Sequence, residues 1–197
     1  MAKILNIIPN QNFELIRDRI TEIIIDELAY QNDYINYEDD KLASAIFTEH
    51  STPFNEDELP AINVSFAGGD YSNKNVKTVE GTYTYNIDFF IRAESTSEND
   101  GDYLSAVRLQ RVMGVVRYIL ENPIYRNLGF SYPKVSLVKL NTIAIAESKQ
   151  QDIANINMGR LVLEVRCSET TELLTPNLIA GYETTVKINN TNFGYKF

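Results

Sequence analysis

A chain of 197 residues with a hydrophobic fraction of 44%, including 9 Phe and 12 Tyr, is long enough to bury one core and too apolar to stay disordered. Its 18 Lys and Arg against 27 Asp and Glu leave a net charge of −9, which opposes non-specific attachment to nucleic acid or to an anionic membrane. The single Cys167 excludes an internal disulfide and suits a reducing compartment, and no apolar run reaches the ~20 residues of a membrane helix or takes the form of a signal peptide.

From Asn12, the residues Phe13, Ile16, Ile20, Ile23, Ile24 and Leu28 recur at spacings of three and four. This is the stripe of an amphipathic helix ending near Tyr30, with Asn10 or Asn12 as its cap. An acidic connection through Asp39 and Asp40 leads to Leu42–Phe47, predicted as a short second helix, before Pro53 and Glu56-Asp57-Glu58 break the pattern. Ile62, Val64 and Phe66 alternate with Asn63 and Ser65 in a strand that Gly68-Gly69 ends. The polar segment Asp70–Glu80 then reads as a long loop. Beyond it, Tyr83, Tyr85, Ile87, Phe89 and Ile91 alternate with Thr84, Asn86, Asp88 and Arg92 in the clearest strand of the chain. Two successive strands joined by a polar segment predict an antiparallel hairpin.

After the polar stretch Ser95–Asp102, the residues Leu104, Val107, Met113, Val116, Ile119 and Leu120 mark a long helix, capped by Asn99 or Asp100 and stopped by Pro123. Val135, Leu137, Leu140, Ile143 and Ile145 predict a third strand with a register break in its middle, and Leu161, Leu163, Val165 and Cys167 a fourth. Between them, Glu147–Gly159 reads as a second long loop or hairpin arm. Tyr182–Ile188 is a fifth candidate strand, followed by a polar tail carrying aromatics. The order predicts an α+β fold: a mainly antiparallel sheet of four to five strands, helices packed on one face, and long hairpin loops. The expected division is a single domain over residues 1–168 and a C-terminal extension over 169–197 that adds a strand and a tail.

Groups that carry chemistry are few. His50 is the only histidine, which rules out a histidine metal cluster, and its polar setting reads as a solvated loop or helix end. Cys167 alternates with apolar neighbours and reads as a small core residue. Gly68-Gly69-Asp70 lacks the phosphate-loop pattern, and the acidic pairs and runs lack calcium-loop spacing. Glu98, Asp100 and Asp102 fit a helix start, and Lys74, Lys77, Arg108, Arg111 and Arg117 are too sparse for a nucleic-acid patch but could pair with a neighbouring subunit. No catalytic, cofactor-binding or metal-ligating residue is assigned, and the expectation is a protein that assembles with other chains and is not an enzyme. The expected contacts are Asp70, Tyr71, Lys74 and Lys77 in the first hairpin loop, and Glu147, Lys149, Gln150 and Gln151 in the second arm.

The strand entry Leu59-Pro60-Ala61-Ile62-Asn63-Val64, the strand Tyr83–Ala93, the helix Ser105–Leu120 and the closing strand Gly159–Cys167 follow one another in a familiar order. Over residues 12–168 this order resembles the tail terminator, or tail-completion, proteins of long-tailed bacteriophages. The resemblance implies a homo-oligomeric ring, hexameric in that family, that caps the tail tube. Its partners would be itself, the tail tube protein and a head-completion or neck protein. It would sit in the virion after assembly in the host cytoplasm, with DNA only passing through the lumen and with no cofactor and no membrane. The negative charge fits a wall to which DNA does not adhere. The alternatives are another neck, head-closure or tube ring component of a phage or phage-like contractile device, or a small ligand-binding module or enzyme with a pocket between helices and sheet.

Overall fold

A computed structural model describes residues 7–8, 10–34, 42, 45–51, 54, 58–73, 78–131, 134–146, 156–170, 184–188 and 191–195. The elements run α1 (Asn12–Tyr34), β1 (Ala45–Thr48), β2 (Ala61–Asn73), β3 (Thr78–Arg92), α2 (Gly101–Leu120), β4 (Val135–Ala146), β5 (Ile156–Thr170), β6 (Thr184–Ile188) and β7 (Thr191–Tyr195). Five strands form one sheet in the order β1-β2-β3-β5-β4, and β6 and β7 pair with each other in a separate hairpin. All pairings in the large sheet are antiparallel except β1 with β2. The fold is α+β, as the alternation of hairpins and helices predicts.

Strict alternation makes the sheet two-faced. Tyr83, Tyr85, Ile87, Phe89 and Ile91 of β3 and Leu161, Leu163 and Val165 of β5 are all fully buried on one face. Against that face lie Ile16, Ile20, Ile23, Ile24 and Leu28 of α1 and Leu109, Val112, Met113, Val116, Ile119 and Leu120 of α2, so both helices cover the same side. Each such side chain contributes about 1.5–3 kcal/mol when taken out of water, which is why one layer of helices suffices to hold the sheet. α1 lies over β1 and β2, and α2 lies over β3 and β5. Gly159 of β5 lets α2 come close: a Cβ there would collide with Met113 Sδ and stand 3.2 Å from Leu109 Cδ1. The other face carries polar pairs, among them Arg160, which grips Asp88 with Nε at 2.5 Å and Nη2 at 2.9 Å.

Several elements differ from the sequence expectation. Ala45–Thr48 is strand, not the end of a second helix: it lies parallel to β2, where Ile46 and Phe47 favour a pleated surface, and Thr48 Oγ1 bonds Thr21 Oγ1 of α1 at 3.1 Å. Gly68-Gly69 does not end β2. The register slips between Phe66 and Gly68 in a β-bulge, Gly68 takes φ 154°, and the bare Cα of Gly69 makes room for the Tyr83 ring. β2 therefore continues to Asn73, and the supposed loop Asp70–Glu80 is mostly strand. In the same way β5 begins at Ile156, inside the stretch read as an arm. The residues after Ile188 include a strand, β7, which a polar tail does not announce.

The helix starts also differ in mechanism. Gln11, not Asn10 or Asn12, opens α1: its carbonyl accepts from Glu14 N and Leu15 N at 3.1 Å, while Glu14 Oε2 accepts from Gln11 N at 2.7 Å. Asp100 occupies the cap position of α2, but the orphan Gly101 N–H is satisfied by Ser95 Oγ at 3.0 Å. The register break predicted in the third strand is present, as two slips in β4 at Val135/Leu137 and Leu140/Thr142.

Two glycines test the packing. Gly159→Val should destabilise the fold by about 2 kcal/mol through overpacking against α2. Gly114→Ala, at a helix position where a Cβ meets nothing within 4 Å, should stabilise it by roughly 0.5–1 kcal/mol, both read from urea unfolding.

Candidate interaction surface

β4 is a sheet edge, and its composition is unusual for one. Its twelve residues, VSLVKLNTIAIA, hold a single charge, Lys139, whereas exposed edges are commonly blunted by charge, proline or bulges. The two slips in register bulge the strand in its first half only. From Thr142 to Ala146 the pairing with β5 is unbroken and the residues 141–145 are all exposed. Ile143 and Ile145 lie on the helix-covered side of the sheet, since they stand opposite the buried Leu161 and Gly159, yet they are 49% and 55% exposed. α2 does not reach far enough to cover them. Leu137, on the opposite face, is 44% exposed. Among the described residues, β4 has no neighbour on its outer side.

The sheet's other edge is β1. Here the uncovered face is closed locally by an aromatic stack in which Phe54 lies 4.5 Å from Phe90 and 4.6 Å from His50, and His50 lies 4.6 Å from Phe47. His50 is thus half-buried between rings rather than simply solvated, and its backbone N–H and carbonyl are held by the Asn63 side chain at 2.9 and 3.2 Å. The ring stack gives the histidine a packing role at this edge.

The expected contact residues are only partly placed. Asp70 and Tyr71 are exposed near the tip of the β2–β3 hairpin, on strand and not on loop. Lys74, Lys77, Glu147, Lys149, Gln150 and Gln151 lie outside the described residues. The registers place the two hairpin tips at opposite ends of the sheet: Val79 stands beside Glu169, whereas the far end of β5 stands beside Ile91 and Arg92. Arg117, a candidate for pairing with another subunit, pairs with Glu121 of its own chain at 3.0 Å.

At the β2–β3 end, Tyr83 Oη donates to the Glu169 carboxylate and lies 3.3 Å from Tyr71 Oη. Burial, then the bond to Glu169, raises the Tyr83 phenol well above its usual range. Burial likewise raises Tyr85, whose hydroxyl donates to the Phe13 carbonyl at 3.0 Å. Cys167 is buried and its thiol is pushed up to about 11, chiefly by burial, so it is a core residue and a poor nucleophile. Among the described residues there is no group of three or more His, Cys, Asp or Glu placed to hold a metal ion, and no helix is long and apolar enough to cross a membrane. Compared with known proteins, the chain matches no family model and no curated protein sequence.

The raised phenols and thiol give a signed pH dependence. All three groups are neutral when protonated, so on raising the pH the unfolded chain loses these protons first. Their stabilising contribution is complete below the ordinary thiol value of 9.0 and is lost progressively as the pH climbs towards about 11. The urea midpoint should accordingly be lower at about pH 10.5 than at about pH 8. An unchanged midpoint would show that these groups titrate alike in folded and unfolded chains.

Proposed function

We propose that the chain is a structural virion protein of a long-tailed phage or a related tail-like device. In this reading it forms a ring, six copies in the family it resembles, that caps the tail tube and meets the head-completion or neck proteins. The protein performs no catalytic step and takes no cofactor; its work is done by surfaces. The observation that carries the reading is β4, an edge strand with one charge and with Leu137, Ile143 and Ile145 exposed along it. Such an edge is a template for another strand, and a soluble protein that leaves one open has a use for it. The element order that resembles tail terminators, and the net charge of −9 suited to a DNA passage, support the same reading.

Light scattering on the purified protein over a concentration series, with and without a cognate tube protein, tests it. A ring of six has six times 22.4 kDa, or 134.4 kDa, and is the expected species, alone or on tube ends. Open-ended growth into tubes would assign the chain to the tube itself. A monomer that ignores the tube at every concentration would overturn the reading.

A further inference from the structure

The registers of the large sheet connect its two edges. Followed through the pairings, Ala45 of β1 shares a row with Ala61, Phe90, Met158 and Ala146 of β4, and Thr48 shares one with Val64, Ile87, Leu161 and Ile143. The four residues of β1 thus lie at the same height along the strands as Ile143–Ala146, in the unbulged part of β4. Strand directions are also fixed. β1 runs parallel to β2, and three successive antiparallel steps to β3, β5 and β4 make β4 opposite in direction to β1.

We infer that the Ile143–Ala146 edge of one copy takes β1 of the next copy as an antiparallel strand, so that the sheets of neighbouring copies run on into one another. This rests on the assembly reading above and names its contact. Side chains agree with it: Ile143 and Ile145 meet Thr48 and Ile46 on the helix-covered side, and Ala144 leaves room for Phe47 on the other. No charge lies on either segment, so none is buried unpaired. The contact joins two different surfaces, which makes it head-to-tail. Because the two edges lie in the same rows, each copy joins its neighbour without a step along the strands. A series of such head-to-tail contacts forms a ring if the rotation between copies closes, and a helix if it does not.

Cysteine pairing tests the contact in the full chain. Within one copy, positions 48 and 143 lie at opposite edges, four strand spacings or roughly 19 Å apart, far beyond the ~5.5 Å that a disulfide spans between Cα atoms. The native Cys167 is buried and stays out of the reaction. Carrying Thr48→Cys and Ile143→Cys together, the oxidised protein should run as a ladder of multiples of 22.4 kDa on a non-reducing gel. An equal mixture of the two single variants should stop at the pair. Ile145→Lys should abolish assembly where the parent assembles, while leaving the melting temperature of the protomer within a few degrees. Rings that form by light scattering without cross-links, or that tolerate Ile145→Lys, would overturn this contact and leave the ring reading standing. If the parent forms no assembly at any concentration, either alone or with the cognate tube protein, both fail.

Discussion

Everything in this fold depends on one pair of strands. β3 and β5 face each other over fifteen consecutive residue pairs, from Thr78 with Thr170 to Arg92 with Ile156, without a slip in register. That run puts five large side chains of β3 and three of β5 on a single face, and a one-residue slip would turn all of them to water. The opposite face ties down the register, since Arg160 meets the Asp88 carboxylate with two bonds that exist at one register only. With the central pair fixed, β2 and β4 flank it and the two helices share its apolar face. The chain leaves β3, crosses in α2, lays down β4 at the outside and returns through β5 into the gap, which is how the last long strand becomes a central one.

The tyrosines show how that face is closed where β2, β3 and β5 meet. Tyr83 and Tyr85 are fully buried, so each hydroxyl needs a partner, and the partners are informative. Tyr85 bonds the backbone carbonyl of Phe13 and anchors the start of α1 to the middle strand. Tyr83 bonds Glu169, near the end of β5, and so holds the end of that strand. Phe13 completes the arrangement, with its ring 5.0 Å from Phe66 and 6.3 Å from Tyr83. Aromatic contacts of this kind add roughly 0.5–1.5 kcal/mol each beyond area burial, and here they join the start of α1 to β2 and β3.

Period-two and period-3.6 patterns were enough to find the long elements, because in β3, β5, α1 and α2 one face is wholly buried and the alternation is correspondingly clean. Where the structure departs from the local pattern, the causes are alike. Ala45–Thr48 is too short to show a period, and it becomes strand only because β2 offers a neighbour. Gly68-Gly69 carries the sign of a turn in sequence, but in three dimensions it answers a tertiary demand, the space taken by the Tyr83 ring one strand away. Of the proposed contact surface, the edge at Ile143 and Ile145 is visible in sequence only as apolar residues. Their burial depends on how far α2 extends over the sheet, and no local pattern encodes that.

The placement of the bulges in β4 bears on why an open edge is tolerable. A bulge distorts the outward row of N–H and C=O groups and makes a poor template, so the slips at Val135/Leu137 and Leu140/Thr142 spoil the first half of the strand for pairing. The second half keeps regular geometry. An edge disabled along its whole length would describe a protein defended against its own copies, and one regular along its whole length would pair in several registers. Half of each leaves a single short stretch where a strand can add, at the height of β1. Specificity then comes from where pairing is prevented as much as from where it is allowed. In the proposed ring a four-residue contact would be weak by itself and closure would compensate, because the last copy would make two contacts for the translational entropy lost in one association. On that proposal, assembly would be favoured where a surface such as a tube end brings copies to a high local concentration.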